Sequence, residues 1–204
     1  MPEFPDLRTA LSALPRSPFY FLRHGETEWN KQALAQGQTD IPLNQAGRDQ
    51  ASDATPLLTG HGLKRIVTSP LSRAADTAAI VNGALSLPLE RHAGLKERAF
   101  GPFEGKPFDR GWYDSGPGQG AEEHEPFNLR IISALAEILE RWPGPVLLVS
   151  HGGVYRAFGK ILCKLPAARA PNAVPFRFDP PAETGAPWTL HPVDPVRHDA
   201  DEHG

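Results

Sequence analysis

The chain has 204 residues, with 21 Lys and Arg against 24 Asp and Glu, a formal charge of −3. That length suits one sizeable domain and is short for two. The near-balance of charge gives no general attraction to nucleic acid or to a membrane surface, so any anion site must be a local arrangement of Arg and His. A single cysteine, Cys163, excludes an internal disulfide, and no cysteine cluster points to structural zinc. Residues 1–15 lack a basic start followed by an apolar stretch, and no apolar run is long enough to span a bilayer. A soluble, cytoplasmic protein is expected.

Residues 1–18 carry four prolines and read as an irregular or weakly helical arm. Phe19–Leu22 is a continuous apolar run, the pattern of a strand buried on both faces. It stops at Arg23-His24-Gly25, where glycine allows a tight turn beside a ligand. Asn44 can cap a helix over Gln45–Thr55, which Pro56 would kink or end. Arg65–Thr68 is a second strand, running into Ser69-Pro70 as N-cap and first-turn proline of a helix that reaches Val81. Leu87–Arg91 makes a third strand. The segment 101–125, rich in Gly, Pro and aromatic residues, reads as a long surface excursion and a lid. Phe127, Ile131, Leu135, Ile138 and Trp142 recur at helical spacing, with Ile132 and Leu139 widening the stripe. Val146–Ser150 is a strand that stops at His151-Gly152-Gly153; Gly152–Leu165 then reads as a helix and Ala173–Phe178 as a last strand. Residues 180–204, rich in Pro, Asp and His, are expected to be loose, which leaves one domain over 19–179. Strands alternating with helices imply an α/β fold, a three-layer α/β/α sandwich around a mostly parallel sheet. Ligands in such sheets sit at the carboxyl ends of strands, and Arg23-His24, Ser69 to Arg73, and His151 all follow strands directly.

Arg23 and Arg73 are permanent cations with planar donor forks that suit phosphate oxygens. Arg73 falls in the first turn of its helix, where free N–H groups also favour anions. His24 and His151 add donors or a nucleophile. No Walker lysine motif or kinase-type glycine loop is present, so the expected ligand is a phosphate group on a small molecule.

Four segments in this order resemble the phosphoglycerate-mutase-like branch of the histidine phosphatase superfamily: Leu22-Arg23-His24-Gly25-Glu26-Thr27-Glu28-Trp29-Asn30, Thr68-Ser69-Pro70-Leu71-Ser72-Arg73-Ala74, Leu95-Lys96-Glu97-Arg98-Ala99-Phe100-Gly101 and Val149-Ser150-His151-Gly152-Gly153. The resemblance implies a phosphoglycerate-mutase-like fold and a phosphohistidine on His24. It implies that Arg23, Arg73 and His151 bind the phosphoryl oxygens and that Glu97 acts as proton donor and then acceptor. Asn30, Gln36, Gly37 and Gly152 match further phosphate- or substrate-contacting positions. It implies no metal and no cofactor, since two Arg and a His supply the positive field. The expected partner is a small phosphorylated metabolite, and monomer and homodimer both stay open.

Each of these residues also has a plain structural reading. A histidine after a strand can cap or end it, Arg73 can pair with Asp76 on a helix surface, and Glu104, Glu122 and Glu123 compete with Glu97. The histidines at 61, 92, 124, 191, 198 and 203 are expected to be exposed. Trp112 and Tyr113 can be lid residues or cover for the core. Three activities follow: a phosphatase, a 2,3-bisphosphoglycerate-dependent mutase, and a non-catalytic phosphate- or phosphoprotein-binding module. The mutase pattern places a tyrosine where Phe100 stands and a lysine near Phe108, with Lys106 close by. Its paired arginines have no counterpart beyond Arg110, although Arg98 does match. The phosphatase is therefore expected. Phe103, Phe108, Trp112 and Tyr113 in the excursion suggest a leaving group with an apolar or sugar-like body, such as a sugar phosphate or the ribazole phosphate of cobalamin synthesis.

Overall fold

The computed structural model describes residues 4–115, 120–166, 170–183 and 185–195. One six-stranded sheet is built from β1 (Phe19–Arg23), β2 (Arg65–Thr68), β3 (Leu89–Arg91), β4 (Val146–Ser150), β5 (Pro175–Asp179) and β6 (Thr189–Pro192), in the order β3-β2-β4-β1-β5-β6. Strands β3, β2, β4 and β1 are mutually parallel, β5 pairs antiparallel with β1, and β6 antiparallel with β5. The helices are α1 (Leu7–Ser12), α2 (Glu28–Lys31), α3 (Gln45–Leu58), α4 (Ser72–Leu85), α5 (Arg110–Ser115), α6 (His124–Arg141) and α7 (Gly152–Ile161).

The two central strands explain the layering. Successive side chains of a strand point to opposite faces, and every residue of β1 and β4 is buried. Phe19, Phe21, Val146 and Leu148 join an apolar cluster with α1, α6 and α7. Tyr20, Leu22, Leu147 and Val149 join a second cluster with Ala54 and Leu58 of α3 and Ala74, Ala78 and Val81 of α4. The result is a three-layer α/β/α sandwich. The chain leaving β1 goes on to α3 on one face, and the chain leaving β4 enters α7 on the other, which opens a crevice between the two strand ends. Arg23 lies opposite Ser150 in the parallel register, so His24 and His151 emerge side by side.

Several elements differ from the sequence reading, and in each case tertiary burial decides. The arm is part of the core from Phe4 onward: Asp6 caps α1 by accepting the Thr9 N–H, Ala10 is fully buried, and Leu7, Leu11 and Leu14 pack on the same cluster as α6. A six-residue helix is marginal alone, so the α6 surface stabilises it. Helix α3 runs through Pro56 to Leu58, whose side chain is buried in the second cluster. Ser69 does not cap α4; that helix starts at Ser72 after Leu71 and continues past Val81 to Leu85, ending on Ser86 in the left-handed region. Helix α7 stops at Ile161, short of Leu165, and β5 begins at Pro175, after Ala173, whose φ of +49° takes it out of the extended region. Within the stretch expected to be loose, Thr189–Pro192 forms the edge strand β6, and Trp188 and Val193 beside it are buried. The excursion contains a 3-10 turn at Gly101–Phe103 and the helix α5. His61, His92 and His124 are half-buried instead of exposed, with contacts to Tyr20, Glu137 and Arg98 respectively, while His191 is exposed. Positions 198 and 203 lie outside the described residues. No helix among the described residues is long and apolar enough to cross a membrane.

Gly25 has a different purpose from the one expected. Its φ is not positive; what it provides is clearance, because a Cβ there would lie 2.2 Å from the Gly47 carbonyl oxygen. Reciprocally, a Cβ on Gly47 would lie 2.1 Å from the Glu26 carbonyl oxygen. The loop after β1 is thus seated on the first turn of α3, where Asn44 also bonds the Glu26 carboxylate and Gln50 accepts the Glu26 N–H. Alanine favours a helix over glycine by about 0.5–1 kcal/mol. Gly83 in α4 has open space around its Cβ position, so Gly83→Ala should stabilise by about that amount. Gly47→Ala should instead destabilise by about 1–3 kcal/mol through overpacking. Urea melts of the two variants check the opposite signs.

Candidate active site

His24 is 3% exposed and sits one residue past β1. Its N–H donates to the Ser150 carbonyl at 2.9 Å, and its own carbonyl accepts from Asn172 Nδ2 at 2.9 Å, so the backbone is fixed from both sides. The ring Nδ1 is 2.7 Å from the Gly25 carbonyl oxygen. A carbonyl can only accept, so Nδ1 carries the hydrogen and Nε2 keeps a lone pair. Burial, reinforced by the charges of Arg73 and Arg23, holds the His24 pKa well below the usual 6.5. The group is a neutral imidazole at physiological pH.

His151 precedes the first residue of α7 and is fully buried, its ring centroid 5.3 Å from that of His24. Burial first, then Arg73, keeps it neutral as well. Its Nε2 is 2.8 Å from Ser69 Oγ, which also accepts the Leu71 N–H at 3.3 Å. The Ser69 hydroxyl, which does not cap α4, thus orients this imidazole. His151 Nδ1 is buried with no hydrogen-bond partner among the described residues.

Arg73, the second residue of α4, is fully buried; it does not lie on the helix surface to pair with Asp76. One guanidinium nitrogen donates to the Thr39 carbonyl at 2.9 Å and the other to the Gly37 carbonyl at 2.7 Å. Burial lowers its pKa to about 10, which leaves it protonated at neutral pH. The carbonyls are presented by a turn in which Gly37 has φ +53°, and a Cβ there would collide with the Glu104 carboxylate at 2.0 Å. Glu104 accepts the N–H groups of Gln38, Thr39 and Phe100 at 2.9–3.0 Å and the Thr39 hydroxyl. It is therefore engaged in tying two loops together.

Glu97 is 8% exposed and reaches the crevice from the loop after the short turn Ala93–Leu95. Its two oxygens accept the Arg98 N–H at 2.8 Å and the Gly153 N–H at 2.9 Å. A Cβ on Gly153 would sit 2.1 Å from a Glu97 oxygen, so the second glycine of the pair makes room for this carboxylate. Ser150 Oγ holds the Leu95 carbonyl at 2.7 Å. Arg130 of α6 donates to the carbonyls of Gly94, Lys96 and Glu97 while paired with Glu122. Of the four candidate glutamates, Glu97 alone lines the cleft.

The cleft has a volume of about 190 Å³. Arg23, His24, Arg73 and Glu97 line its inner end, along with Gly37 and Gly152. Arg23 donates to the Ala170 carbonyl at 2.7 Å. Asn30 and Gln36 lie on the wall; Asn30 Oδ1 closes a capping box with Thr27, and Gln36 Oε1 is buried with no partner among the described residues. Every residue proposed from sequence except His151 lines this cleft, and His151 stacks obliquely beside His24. The remaining wall is apolar, formed by Ala33, Leu34, Ala35, Phe100, Phe108 and Tyr113, with one further cation, Arg156. Tyr113 is buried, which raises its pKa, and its ring lies between the guanidinium groups of Arg98 (4.3 Å) and Arg156 (4.5 Å). The side chain of Trp112 lies outside the described residues.

Asn172, Arg130 and Arg156 escaped the sequence reading. Asn172 and Arg130 act on backbone carbonyls far away in sequence, which no local pattern encodes. Arg156 had a usable signal: it follows Gly152 by four residues, which places both on one helix face. Arg98 is buried, bonded to the Tyr113 carbonyl and to His124, and does not line the cleft. Lys106 extends over the Phe103 ring and also stays out of the lining. A neutral imidazole, two guanidinium groups and a carboxyl group thus converge in a crevice sized for a small anionic group and its substituent.

The histidine phosphatase superfamily (branch 1) profile matches residues 19–175. The uncharacterized phosphatase PhoE of Bacillus subtilis is 39% identical over 139 residues, 67% of this chain and 72% of the relative. A Salmonella paratyphi B protein named "Probable phosphoglycerate mutase GpmB" is 32% identical over 162 residues, 72% of this chain and 75% of that one. The solved structure of a mycobacterial glucosyl-3-phosphoglycerate phosphatase in complex with VO3 superposes with a TM-score of 0.72 at 27% identity, covering 86% of this chain and 98% of that one. With this fold, these residues in the crevice and these relatives, the chain belongs to branch 1 of the histidine phosphatase superfamily and is a phosphoric monoester hydrolase.

Proposed function

We propose that the protein hydrolyses small-molecule phosphate monoesters through a phosphohistidine on His24. The observation that carries this reading is the Nδ1–H bond of His24 to the Gly25 carbonyl, which leaves a neutral Nε2 lone pair beside two buried guanidinium groups. In the first step Nε2 attacks phosphorus, the ester P–O bond breaks, and the proton of the Glu97 carboxyl group goes to the departing oxygen. In the second, Glu97 takes a proton from water, the water oxygen bonds to phosphorus, and the N–P bond breaks to release phosphate. Arg23, Arg73 and His151 bind the equatorial oxygens and offset the charge that spreads over them. Gly152, at the first turn of α7, lies beside Arg23: even a Cβ there would only touch the guanidinium at 3.4–3.6 Å, an ordinary contact. Asn30, Gln36 and Gly37 line the same cleft, and we assign them to contacts with the ester.

The apolar wall supports a leaving group with an apolar or sugar-like body. Phe100 stands where the mutase pattern has a tyrosine, and Arg98 and Lys106 are turned away from the lining. A mutase must hold a second phosphate and exclude water, and these cations are not placed for that. A binding module needs neither a nucleophile nor an acid, and the placing of the His24 imidazole and the Glu97 carboxylate in one cleft supports the enzyme over the module.

A screen of phosphorylated metabolites, with phosphate release measured for each, tests the function. Turnover of p-nitrophenyl phosphate and of several monoesters is expected, and no 2,3-bisphosphoglycerate-dependent conversion of 3-phosphoglycerate to 2-phosphoglycerate. His24→Ala should abolish both turnover and the acid-labile phosphoenzyme; normal turnover in that variant would remove His24 as nucleophile. Glu97→Gln should slow alkyl phosphates by about 10²–10⁴-fold, the usual reach of a general acid. p-Nitrophenyl phosphate, whose leaving group needs little protonation, should slow much less in its first step, read as the phosphoenzyme burst. Equal losses would argue against Glu97 as the acid.

The titration of His24 gives a separate test. Its pKa is lowered in the folded protein, so as pH falls through 6.5 the unfolded chain takes up a proton that the folded chain refuses. Folding stability should therefore decrease on going from pH 7.5 to 5.5, and nitrogen-15 NMR of the imidazole should show the neutral Nδ1–H tautomer of His24 still present at pH 6. An imidazolium signal for His24 with a midpoint at or above 6.5 would contradict the burial argument.

A further inference from the structure

Thr77 stands one helical turn past Arg73 on the same face of α4 and is fully buried. It does not line the cleft and belongs to no step of the proposed reaction. Its hydroxyl donates to the Arg73 carbonyl at 2.7 Å. That bond to the fourth residue back is the ordinary habit of a threonine inside a helix. A hydroxyl that donates still has lone pairs to offer, and here one of them accepts the Gly25 N–H at 3.0 Å. The bond spans 52 residues and joins the turn of α4 that carries Arg73 to the residue after the proposed nucleophile.

The Gly25 N–H belongs to the peptide whose carbonyl is that of His24, and this carbonyl accepts from Asn172 Nδ2 at 2.9 Å. A peptide unit is planar, so gripping it at both ends fixes its orientation. The next peptide is gripped too. Its N–H, on Glu26, donates to Gln50 Oε1 at 2.9 Å, and its carbonyl, on Gly25, accepts from His24 Nδ1 at 2.7 Å. Between the two planes lie only the φ and ψ of a glycine, the residue least able to hold them by itself. The direction of the Gly25 carbonyl, and with it the His24 ring, therefore depends on the bonds made to the peptides on either side. Thr77 makes its bond while also bonded to the Arg73 backbone, so it sets nucleophile and cation against each other. We propose that Thr77 is a positioning residue for phosphoryl transfer: its hydroxyl ties the His24–Gly25 peptide to the Arg73 turn of α4, which keeps the Gly25 carbonyl on Nδ1 and the Nε2 lone pair in register with the Arg73 guanidinium. The inference rests on the phosphohistidine reading and names what keeps its nucleophile aimed.

The test compares Thr77→Val, which keeps the shape and loses both hydrogen bonds, with Thr77→Ser, which keeps the hydroxyl. Each variant is assayed well below its melting temperature. In Thr77→Val the phosphoenzyme burst with p-nitrophenyl phosphate should slow by about 10- to 100-fold, the scale of a misplacement on the order of 1 Å at the reacting atoms. Nitrogen-15 NMR at neutral pH should show His24 as a mixture of Nδ1–H and Nε2–H tautomers in place of the Nδ1–H form alone. Thr77→Ser should return the burst to within about threefold of the wild type and restore the Nδ1–H signal. A threonine that only supports the fold would lower the melting temperature in Thr77→Val and leave burst and tautomer at their wild-type values; that result overturns the inference. So does a loss in Thr77→Ser as large as in Thr77→Val, which would assign the effect to packing of the methyl group. If Thr77→Val does not fold, Thr77→Ala gives up the same hydroxyl and carries the same expectations. A wild-type enzyme that forms no phosphoenzyme and releases no phosphate would instead overturn the phosphatase reading, and the His24 tautomer in the variants would still decide the role of Thr77.

Discussion

The structure depends on burying two guanidinium groups and two imidazoles in one crevice while hydrogen-bonding the guanidinium groups to the backbone. Desolvating a charge is costly unless it is hydrogen-bonded. Here backbone carbonyls supply the bonds: Gly37 and Thr39 for Arg73, Ala170 for Arg23. Carbonyls engage the terminal guanidinium nitrogens without cancelling the charge, and Arg73 Nε stays buried with no partner among the described residues, so the crevice keeps a positive field. The same field and the same burial keep both histidines neutral. One physical arrangement thus prepares an anion site and a neutral imidazole in the same place.

Much of the surrounding chain exists to present those carbonyls and N–H groups. Glu104 ties the 37–39 turn to Phe100, Arg130 gathers the carbonyls from Gly94 to Glu97, and Asn172 holds the His24 carbonyl. Glycine is needed where backbone meets backbone or carboxylate: Gly25 against Gly47, Gly37 against Glu104, Gly153 against Glu97. At one end of the crevice the segments that follow β1, β2 and β4 bond to one another, through the His24 N–H to the Ser150 carbonyl and the His151 ring to Ser69. The rest is a wall of side chains from the 33–35 turn, the 100–113 segment and α7.

Part of this was legible in advance because it is local. The apolar runs Phe19–Leu22 and Val146–Val149 read as strands buried on both faces, and a residue type that ends such a run must sit at the strand's carboxyl end. His24, Arg23, Arg73 and His151 follow from that rule together with the motif order. The amphipathic spacing from Phe127 to Ile138 read directly as α6. The elements that were not legible owe their form to distant partners. Helix α1 is held by α6, β6 is an edge strand of four residues with only one neighbour, and α3 continues past Pro56 because Leu58 has a place in the core.

The sequence by itself determined the fold class, the strand ends and which residues follow them into the crevice, because each is set by hydrophobic period and by residue chemistry at a fixed local position. Only the tertiary structure decided which glutamate reaches the crevice. Glu97, Glu104 and Glu122 are chemically alike and lie within 26 residues of one another; their fates differ because Gly153, the 37–39 turn and Arg130 each claim one of them. The same is true of His24. Its residue type could be read from the chain, but its neutral Nδ1–H form required the Gly25 carbonyl at 2.7 Å and the burial that β4 and α4 impose together.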